Sequence, residues 1–518
     1  MAAYQAIVVG GGHNGLIAAA FLAKAGVKTL LLERRHIQGG ACVTEEIGGA
    51  PGYRVSTGAA QLGNLRPETV ASLELARFGY ELIVPDPLTV FPFPDGRYLA
   101  LWTDPARTGA EFRKFSEKDA AAIPAYLADC NAVCDILEPL LYGEESCTLD
   151  GIESTFAAQG RRDLFDAFIL GSMHDVLADR FESDEIKAVL GYTATFGTNA
   201  DTRVPGTAYV MAHHMFGGTT GIRGRAVYVK GGMGGLADAL SASARHFGAE
   251  LRTDAEVAEI LVRDGRATGV VLASGERIEA DAVISNADPH TTFLKLVGES
   301  HLSSGFADGV RGIEANGVAL KVNCAMEALP TFKALPADIR PARVSICPSP
   351  AYVDAAWAEA SRGHLASAPY MTVHMQSAVD PSLAPQGKYT LTCYAQFFPH
   401  RLAPELGGWE AQRENAGRIV IDTVAKYAPD VRGKIVALEV MSPTDLERIF
   451  GMTGGHQFHG DLMPGHLFEN RPAPGCDGAR TPIDGLYLCG TGAHPGGCIW
   501  GAPGERAART VAKDILDA

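Results

Sequence analysis

Several things are missing from this sequence, and each absence closes off a class. No stretch reaches the ~18 uninterrupted apolar residues of a membrane-spanning helix. No lysine or arginine run breaks a chain of 45 basic and 60 acidic residues, net charge −15 and pI near 5.5. Without a basic face, no nucleic-acid partner is expected. The ten cysteines include no C-x-x-C pair. Cys130 and Cys134, four apart in an apolar periodic stretch, read as core rather than as metal ligands. Thiols without a disulfide framework suit a reducing compartment. No H-E-x-x-H or comparable spacing occurs, so no metal is expected. Room for a leader peptide is also lacking, since the first extended run begins at Tyr4; a cytoplasmic location is the expectation.

Glycine, by contrast, is abundant. At 59 of 518 residues it makes up about 11%, against a usual ~7%, which suits a backbone that must often come close to a cofactor. Hydrophobic residues are 47% and charged residues 20%, as in a soluble globular protein with a large core; the length allows about three domains.

The chain is organised around its first forty residues. Tyr4 to Val9 reads as a strand, Gly10 to Gly15 as a glycine-rich turn, Leu16 to Ala25 as a helix, and Lys28 to Leu32 as a second buried strand that ends at Glu33. Gly10 makes the tight turn, Gly12 lets a pyrophosphate approach the backbone, and Gly15 lets the helix lie close to the strand. Free N–H groups at the helix start, around His13 and Asn14, would hold the phosphates. Glu33 lies 18 residues beyond Gly15, where a carboxylate accepts hydrogen bonds from ribose hydroxyls. It would repel a 2′-phosphate, so the adenosine is that of FAD or NAD rather than NADP, with Arg34 and Arg35 as the counterweight.

A second glycine pair, Gly39-Gly40, follows with Ala41, and then the small-residue run Gly58-Ala59-Ala60. Ala120 to Leu141 and Leu164 to Leu177 carry apolar residues at helical spacing; residues 201 to 220 read as irregular. Lys230 to Gly235 leads into a helix from Leu236 to Phe247. Three extended runs come next, Glu256–Val262, Thr268–Ala273 and Arg277–Ala280, with hairpin signals at Asp264-Gly265 and Ser274-Gly275. A further core strand, Ala282–Ser285, follows. Between about 300 and 450, Val318–Cys324, Tyr370–Met375, Tyr389–Phe397 and Ile435–Met441 read as strands of a half-exposed antiparallel sheet, and Glu410 to Tyr427 as a helix. Gly485 to Gly490 is a last strand, Thr491 to Gly501 a glycine-rich loop, and Pro503 to Leu516 a closing helix.

Four pieces thus stand in one order: the nucleotide unit, Gly39-Gly40, the helix and meander from Lys230 to Asp288, and the terminal 485–516. Together they resemble the FAD-dependent phytoene desaturase family, within the amine oxidase-like flavoproteins. Val229 to Gly234 and Leu486 to Gly497 are the most specific parts. The latter, with Gly10 to Leu16, is similar in particular to the branch called pyridine nucleotide-disulfide oxidoreductase domain-containing protein 2, although the cysteine pair of a disulfide reductase is missing.

The resemblance implies an α/β fold: a Rossmann-like FAD-binding domain with a β-meander, discontinuous in sequence, plus an α+β substrate domain with a helical lobe. The implied boundaries are 1–110, 221–295 and 451–518 for the FAD-binding domain, 111–220 for the helical lobe, and 296–450 for the substrate sheet. Gly10, Gly12, His13, Asn14 and Gly15 would then bind the pyrophosphate, and Glu33, with Arg34 beside it, the ribose. Gly39, Gly40, Ala41, Gly58 and Ala59 would line the flavin. Val257 would meet the adenine, Gly490 and Thr491 the diphosphate or ribityl chain, and Gly496 and Gly497 the pyrimidine edge, where a helix N-terminus stabilises the negative charge of reduced flavin.

Flavin supplies the hydride chemistry. The implied substrates are long, apolar and unsaturated, and the implied reaction is desaturation, saturation or isomerisation at a carbon–carbon bond in a tunnel walled by the helical lobe. Only one dinucleotide fingerprint is present, so electrons are expected to leave to oxygen, a quinone or another carrier, or to return to the substrate. His494 and His459 are the candidate acid/base groups, with His456 beside the latter. Lys230, before a glycine turn, reads as structural. An apolar substrate has to be collected from a bilayer or a carrier, so a peripheral, salt-insensitive membrane contact is expected. Two other readings remain: a flavin amine oxidase, which needs an aromatic cage facing the flavin, and a non-catalytic FAD-bearing interaction protein.

Overall fold

Tyr4–Val9 becomes fully buried from Ala6 onward because it is flanked on both sides by parallel partners. Thr29–Leu32 pairs with it on one side and residues 280–285 on the other. The computed structural model describes residues 3–143 and 147–517. In it the first sheet runs Val257–Arg263, Arg266–Leu272, Arg277–Ser285, Tyr4–Val9, Thr29–Leu32, Glu250–Arg252, and Leu486–Leu488 joins Arg277–Ser285 from the far end of the chain. The strands expected at 277–280 and 282–285 are in fact one. Its first half pairs antiparallel with the meander and its second half parallel with Tyr4–Val9. Burial along it changes from alternating to continuous at the same point, as a strand does when both of its faces become covered.

Three helices lie on one face of this sheet. His13–Lys24 packs between Met233–Phe247 and Ala502–Leu516, and its run of Ala18, Ala19 and Ala20 lets all three come close.

The second sheet has the order Ile435–Met441, Ala319–Met326, Tyr389–Gln396, Met371–His374, Arg343–Ile346, Thr89–Pro92, Tyr98–Leu101. It is antiparallel apart from one parallel pairing, Val344 with Val90. The hairpin at 89–101, inside the stretch expected to serve the nucleotide-binding unit, supplies an edge of this sheet instead. The expectation of a half-exposed sheet holds at the edge strand Ile435–Met441, where Val436 and Leu438 are exposed, and is corrected in the sheet's interior. Ala319–Met326 is buried at every position and Tyr389–Gln396 at all but the first. Leu320, Val322, Val344, Val373 and Cys393 pack on the helix Gly408–Tyr427. The opposite face carries Lys321, Asn323, Arg343, His374 and Thr392, which are all buried. Period-two alternation is present, but it separates apolar from polar within the interior.

The lobe between the two sheets' strands is helical. Glu117–Leu141 is long and apolar enough to cross a membrane by length and composition, but it seats Tyr126, Val133 and Leu137 in the lobe's core. The expected helix from 164 to 177 is interrupted at Gly171, after which Ser172 caps a new one, Met173–Ala178. Residues 201–220, expected to be irregular, contain the helix Thr207–His213, which starts where Gly206 takes φ +93°.

Candidate active site

A cavity of 620 Å³ opens between the two sheets, within the usual range for small-molecule sites. One arm of it is the glycine turn. Gly10 sits at φ +99°, a conformation that favours glycine. A Cβ on Gly15 would stand 2.2 Å from the Gly10 carbonyl, and one on Gly12 2.7 Å from the Asn286 amide nitrogen. Gly12 caps the helix without a side chain, so the first-turn N–H groups face outward as anion donors. Gly39 donates its N–H to the Gly11 carbonyl at 2.7 Å and folds the second glycine pair over the turn. A Cβ on Gly40 would lie 2.9 Å from the Gly12 Cα.

Glu33 is 6% exposed. One of its carboxylate oxygens accepts from the Gly11 N–H at 2.7 Å and the other from the Arg35 N–H at 2.8 Å. Each oxygen keeps a lone pair for a ribose hydroxyl. The neighbouring arginines are engaged elsewhere: Arg34 donates to the Arg448 and Ile449 carbonyls, and Arg35 pairs with Glu45. Only Arg35 is paired with a carboxylate; Arg34 keeps its charge beside the cavity it lines.

The cradle fits FAD. His13, which lines the cavity, has its Nε2 buried without a partner among the described residues, as expected where a diphosphate ligand completes the bonding. Gly10, Gly12, His13, Glu33, Arg34, Gly40, Ala41, Gly58, Ala59, Val257 and Thr491 all line the cavity. Asn14, Gly15 and Gly39 stand behind that wall and shape it.

The terminal loop differs from expectation. Gly490, Gly496 and Gly497 do not reach the cavity; Thr491, Cys498 and Ile499 do. Gly490 packs on the Asn286 carbonyl, Gly496 on Leu462 and His213, and Gly497 on Phe458. The rings of His213 and Phe458 thus stand against Gly496 and Gly497.

The two histidines also separate. His494 is fully buried outside the cavity wall, with Nε2 4.0 Å from the Cys147 sulfur and its carbonyl held by Arg506. Burial first, then Arg506 and Arg471, holds its ring well below the usual histidine range. His459 does line the cavity, at φ +54° with Nδ1 buried and unpartnered among the described residues. Burial pushes it down to about 4, against an opposing pull from Asp288. His456 is a loop brace: Nδ1 accepts the N–H groups of Phe458 and Gly460, and Nε2 faces Asp461 at 2.8 Å.

Lys321 is the group that sequence reasoning missed. Its ammonium donates to the Ser56 carbonyl at 2.5 Å and the Gly58 carbonyl at 2.6 Å, so it fixes the backbone beside the expected flavin position. Complete burial pushes it down to about 7, opposed by Glu439. The readable signal was a lysine at the centre of the apolar run Val318 to Cys324. Lys230, in contrast, is exposed and paired with Glu81. Beyond Lys321 the wall is aromatic: Tyr192, Phe196, Tyr394 and Phe458. The rings of Phe196 and Tyr394 lie 5.0 Å apart at 34°. From the described residues of the helical lobe, only Tyr192, Thr193, Phe196 and His214 reach this space.

Comparison with known proteins agrees with this geometry. The family model for flavin containing amine oxidoreductase matches residues 15–516. The mouse pyridine nucleotide-disulfide oxidoreductase domain-containing protein 2 is 36% identical, over 99% of this chain and 94% of its own. A limonene dehydrogenase chain of Castellaniella defragrans is 29% identical over 98% and 94%, and the chloroplastic prolycopene isomerase of Daucus carota 27% over 99% and 80%. Among solved structures, putrescine oxidase superposes with TM-score 0.63 at 16% identity, covering 99% of each chain.

Proposed function

We propose, from the premise that this chain belongs to the flavin-containing amine oxidoreductase family and is an FAD-dependent oxidoreductase, that it acts on a carbon–carbon bond of an apolar, unsaturated substrate. The carrying observation is the aromatic wall. Phe196 and Tyr394 lie against each other, centroids 5.0 Å apart and planes tilted by 34°; an amine cage needs two rings facing across a slot, and these two are in contact with each other instead. Two further points support the reading. The lining carboxylates, Glu33, Glu256, Asp288 and Glu447, belong to the nucleotide arm, where Glu33 holds the Gly11 N–H and Asp288 the Thr291 and Thr453 hydroxyls. An ammonium group near Lys321 would meet a cation. Relatives whose names give limonene and prolycopene also point to apolar, unsaturated molecules.

Bound FAD supplies hydride transfer. The chain's own residues bind and orient it. Gly12 and Gly15 admit the diphosphate to the helix N-terminus, Glu33 receives the ribose hydroxyls, and Val257 offers backbone to the adenine. Lys321 Nζ fixes the Gly58 carbonyl and, with its lowered pKa, can hold or release a proton near neutrality. His459 stands near His13 and Asp288, so its role is toward the cofactor's phosphate arm. Phe196, Tyr394 and Phe458 keep water from the reacting end. With a single nucleotide fold, electrons leave to oxygen or a quinone. Anaerobic mixing of the FAD-loaded protein with unsaturated hydrocarbons and with primary amines tests the reading. Bleaching of the flavin by the hydrocarbons and not by amines is expected. Bleaching by amines alone would establish the amine oxidase reading, and no bleaching by any compound the non-catalytic one.

A further inference from the structure

We propose that the substrate carries an oxygen function, seated at the second-sheet pole of the cavity by Lys321, Gln61 and His374. This deepens the reading above and rests on it for the cavity's being a substrate chamber.

The polar face of the second sheet partly satisfies itself. Lys321 stands opposite Tyr394, Asn323 opposite Thr392, and His374 between Thr392 and Arg343. The Thr392 hydroxyl donates to the Asn323 side-chain oxygen at 3.0 Å, and Arg343 donates to the Gln61 side-chain oxygen at 2.6 Å. What remains is aimed at the ligand. Gln61 has committed its oxygen to Arg343, which leaves its NH2 group for the cavity it lines. In its ammonium form Lys321 commits two of its three N–H donors to the Ser56 and Gly58 carbonyls, and one remains.

His374 follows by elimination. The Tyr228 hydroxyl has a single proton, and it contacts the Ala342 carbonyl at 2.9 Å, which can only accept. The His374 Nδ1, 3.0 Å from the same hydroxyl oxygen, must therefore be the donor. The ring carries its proton on Nδ1, and Nε2 is a bare lone pair with no partner among the described residues, on a side chain that lines the cavity. Burial, Arg343 and Lys321 all keep the ring neutral. Two donors and one acceptor suit a carbonyl, carboxyl or hydroxyl group. A pure hydrocarbon would leave all three desolvated and unpaired.

The test is binding to the FAD-loaded protein, followed by perturbation of the flavin absorption band. The probes are farnesene, farnesol and farnesoic acid, which share a chain but carry no oxygen, a hydroxyl and a carboxyl. At least one oxygenated probe should bind ~10-fold or more tightly than farnesene, a modest floor beside the ~10⁴-fold reached by sites built to hydrogen-bond a hydroxyl. A preference for farnesoic acid marks the Lys321 and Gln61 donors, and one for farnesol the His374 acceptor. The advantage should fall to about 2-fold or less in Lys321→Met and His374→Leu. Equal binding of all three probes, or failure of both oxygenated probes to bind at about 1 mM, overturns the proposal. So does an advantage that survives both substitutions. A changed flavin spectrum in ligand-free His374→Leu would also overturn it, since the ring would then serve the cofactor. Nitrogen NMR of histidine-labelled wild type needs no variant to fold: an Nε2-protonated His374 would refute the assignment. These readouts do not involve turnover. A hydrocarbon that bleaches the flavin while binding no more weakly than its oxygenated partners would keep the proposed reaction and sink only this inference.

Discussion

Replacing Lys321 with methionine should change how stability depends on pH, and the size follows from its surroundings. Burial lowers the ammonium from 10.5 to about 7, so the folded state disfavours the proton that the unfolded chain binds readily. Between those two values the unfolded state holds more protons, and stability rises with pH. Below about pH 7 the full penalty is present, and it is relieved progressively up to about pH 10.5. The whole shift corresponds to roughly 5 kcal/mol, of which roughly 2 kcal/mol falls between pH 7 and pH 9. Methionine cannot titrate, so the stability of wild type minus that of Lys321→Met should rise by roughly 2 kcal/mol over that interval. The variant also leaves the Ser56 and Gly58 carbonyls without their donor, a cost of ~1–3 kcal/mol for each buried acceptor that should not vary with pH. Urea unfolding of both FAD-loaded proteins at pH 7, 8 and 9 separates the sloping part from the constant part. A difference that stays flat with pH would mean an ordinary lysine in contact with water, and the proton role of Lys321 would fall with it.

Gly12→Val should yield folded, colourless protein, because its Cβ meets the Asn286 amide at 2.7 Å and takes the diphosphate's space; retention of the yellow flavin spectrum would contradict the cradle. Glu33→Ala should weaken FAD by ~10-fold or more, on the scale of ~1.5–3 kcal/mol for hydrogen bonds to a charged group, measured by fluorescence titration. An unchanged affinity would remove the ribose role. His494→Ala should lower stability by about 2–4 kcal/mol as a buried cavity, with the flavin reduction rate per bound FAD unchanged; a ~100-fold slower rate at full FAD content would restore the proton role. Peripheral membrane contact predicts flotation with neutral liposomes at any salt concentration, through apolar surface such as Leu127 and Leu170, 43% and 41% exposed on the helical lobe. A protein that stays in the soluble fraction throughout lacks that contact.

The nucleotide cradle was legible in the sequence because its chemistry is local. Gly10, Gly12, Gly15 and Glu33 lie within one strand, one turn, one helix and the next strand; the Gly15 approach to the Gly10 carbonyl and the Glu33 bond to the Gly11 N–H are local, and only the contact of Gly12 with Asn286 comes from far along the chain. The terminal loop was legible only as an element. Its glycines are spaced as an approach to flavin would require, yet which of them faces the cavity depends on Phe458, Leu462 and His213, residues distant in sequence that the motif does not encode. His494 was misjudged for the same reason. A histidine inside a motif looks like chemistry, but its surroundings are Cys147, from the loop before Leu149–Ala158, and Arg506, from the last helix.

The second sheet shows why the substrate end stays hidden from a linear reading. Alternation of period two says that a strand has two different faces, and the usual inference is that the polar one meets water. Lys321, Asn323, His374 and Thr392 alternate correctly and are nonetheless buried, because the nucleotide-binding unit covers that face. A polar face that is fully covered has to be satisfied by partners within the protein or by a ligand. Asn323, Thr392 and Arg343 find protein partners. Lys321, Gln61 and His374 each retain one group turned to the cavity, and no residue count or periodicity could have separated these from the rest. The decisive information is which hydrogen bonds have already been used. That is fixed by the register of Ala319–Met326, Tyr389–Gln396, Met371–His374 and Arg343–Ile346, so the specificity of the chamber is a property of strand pairing and not of any motif.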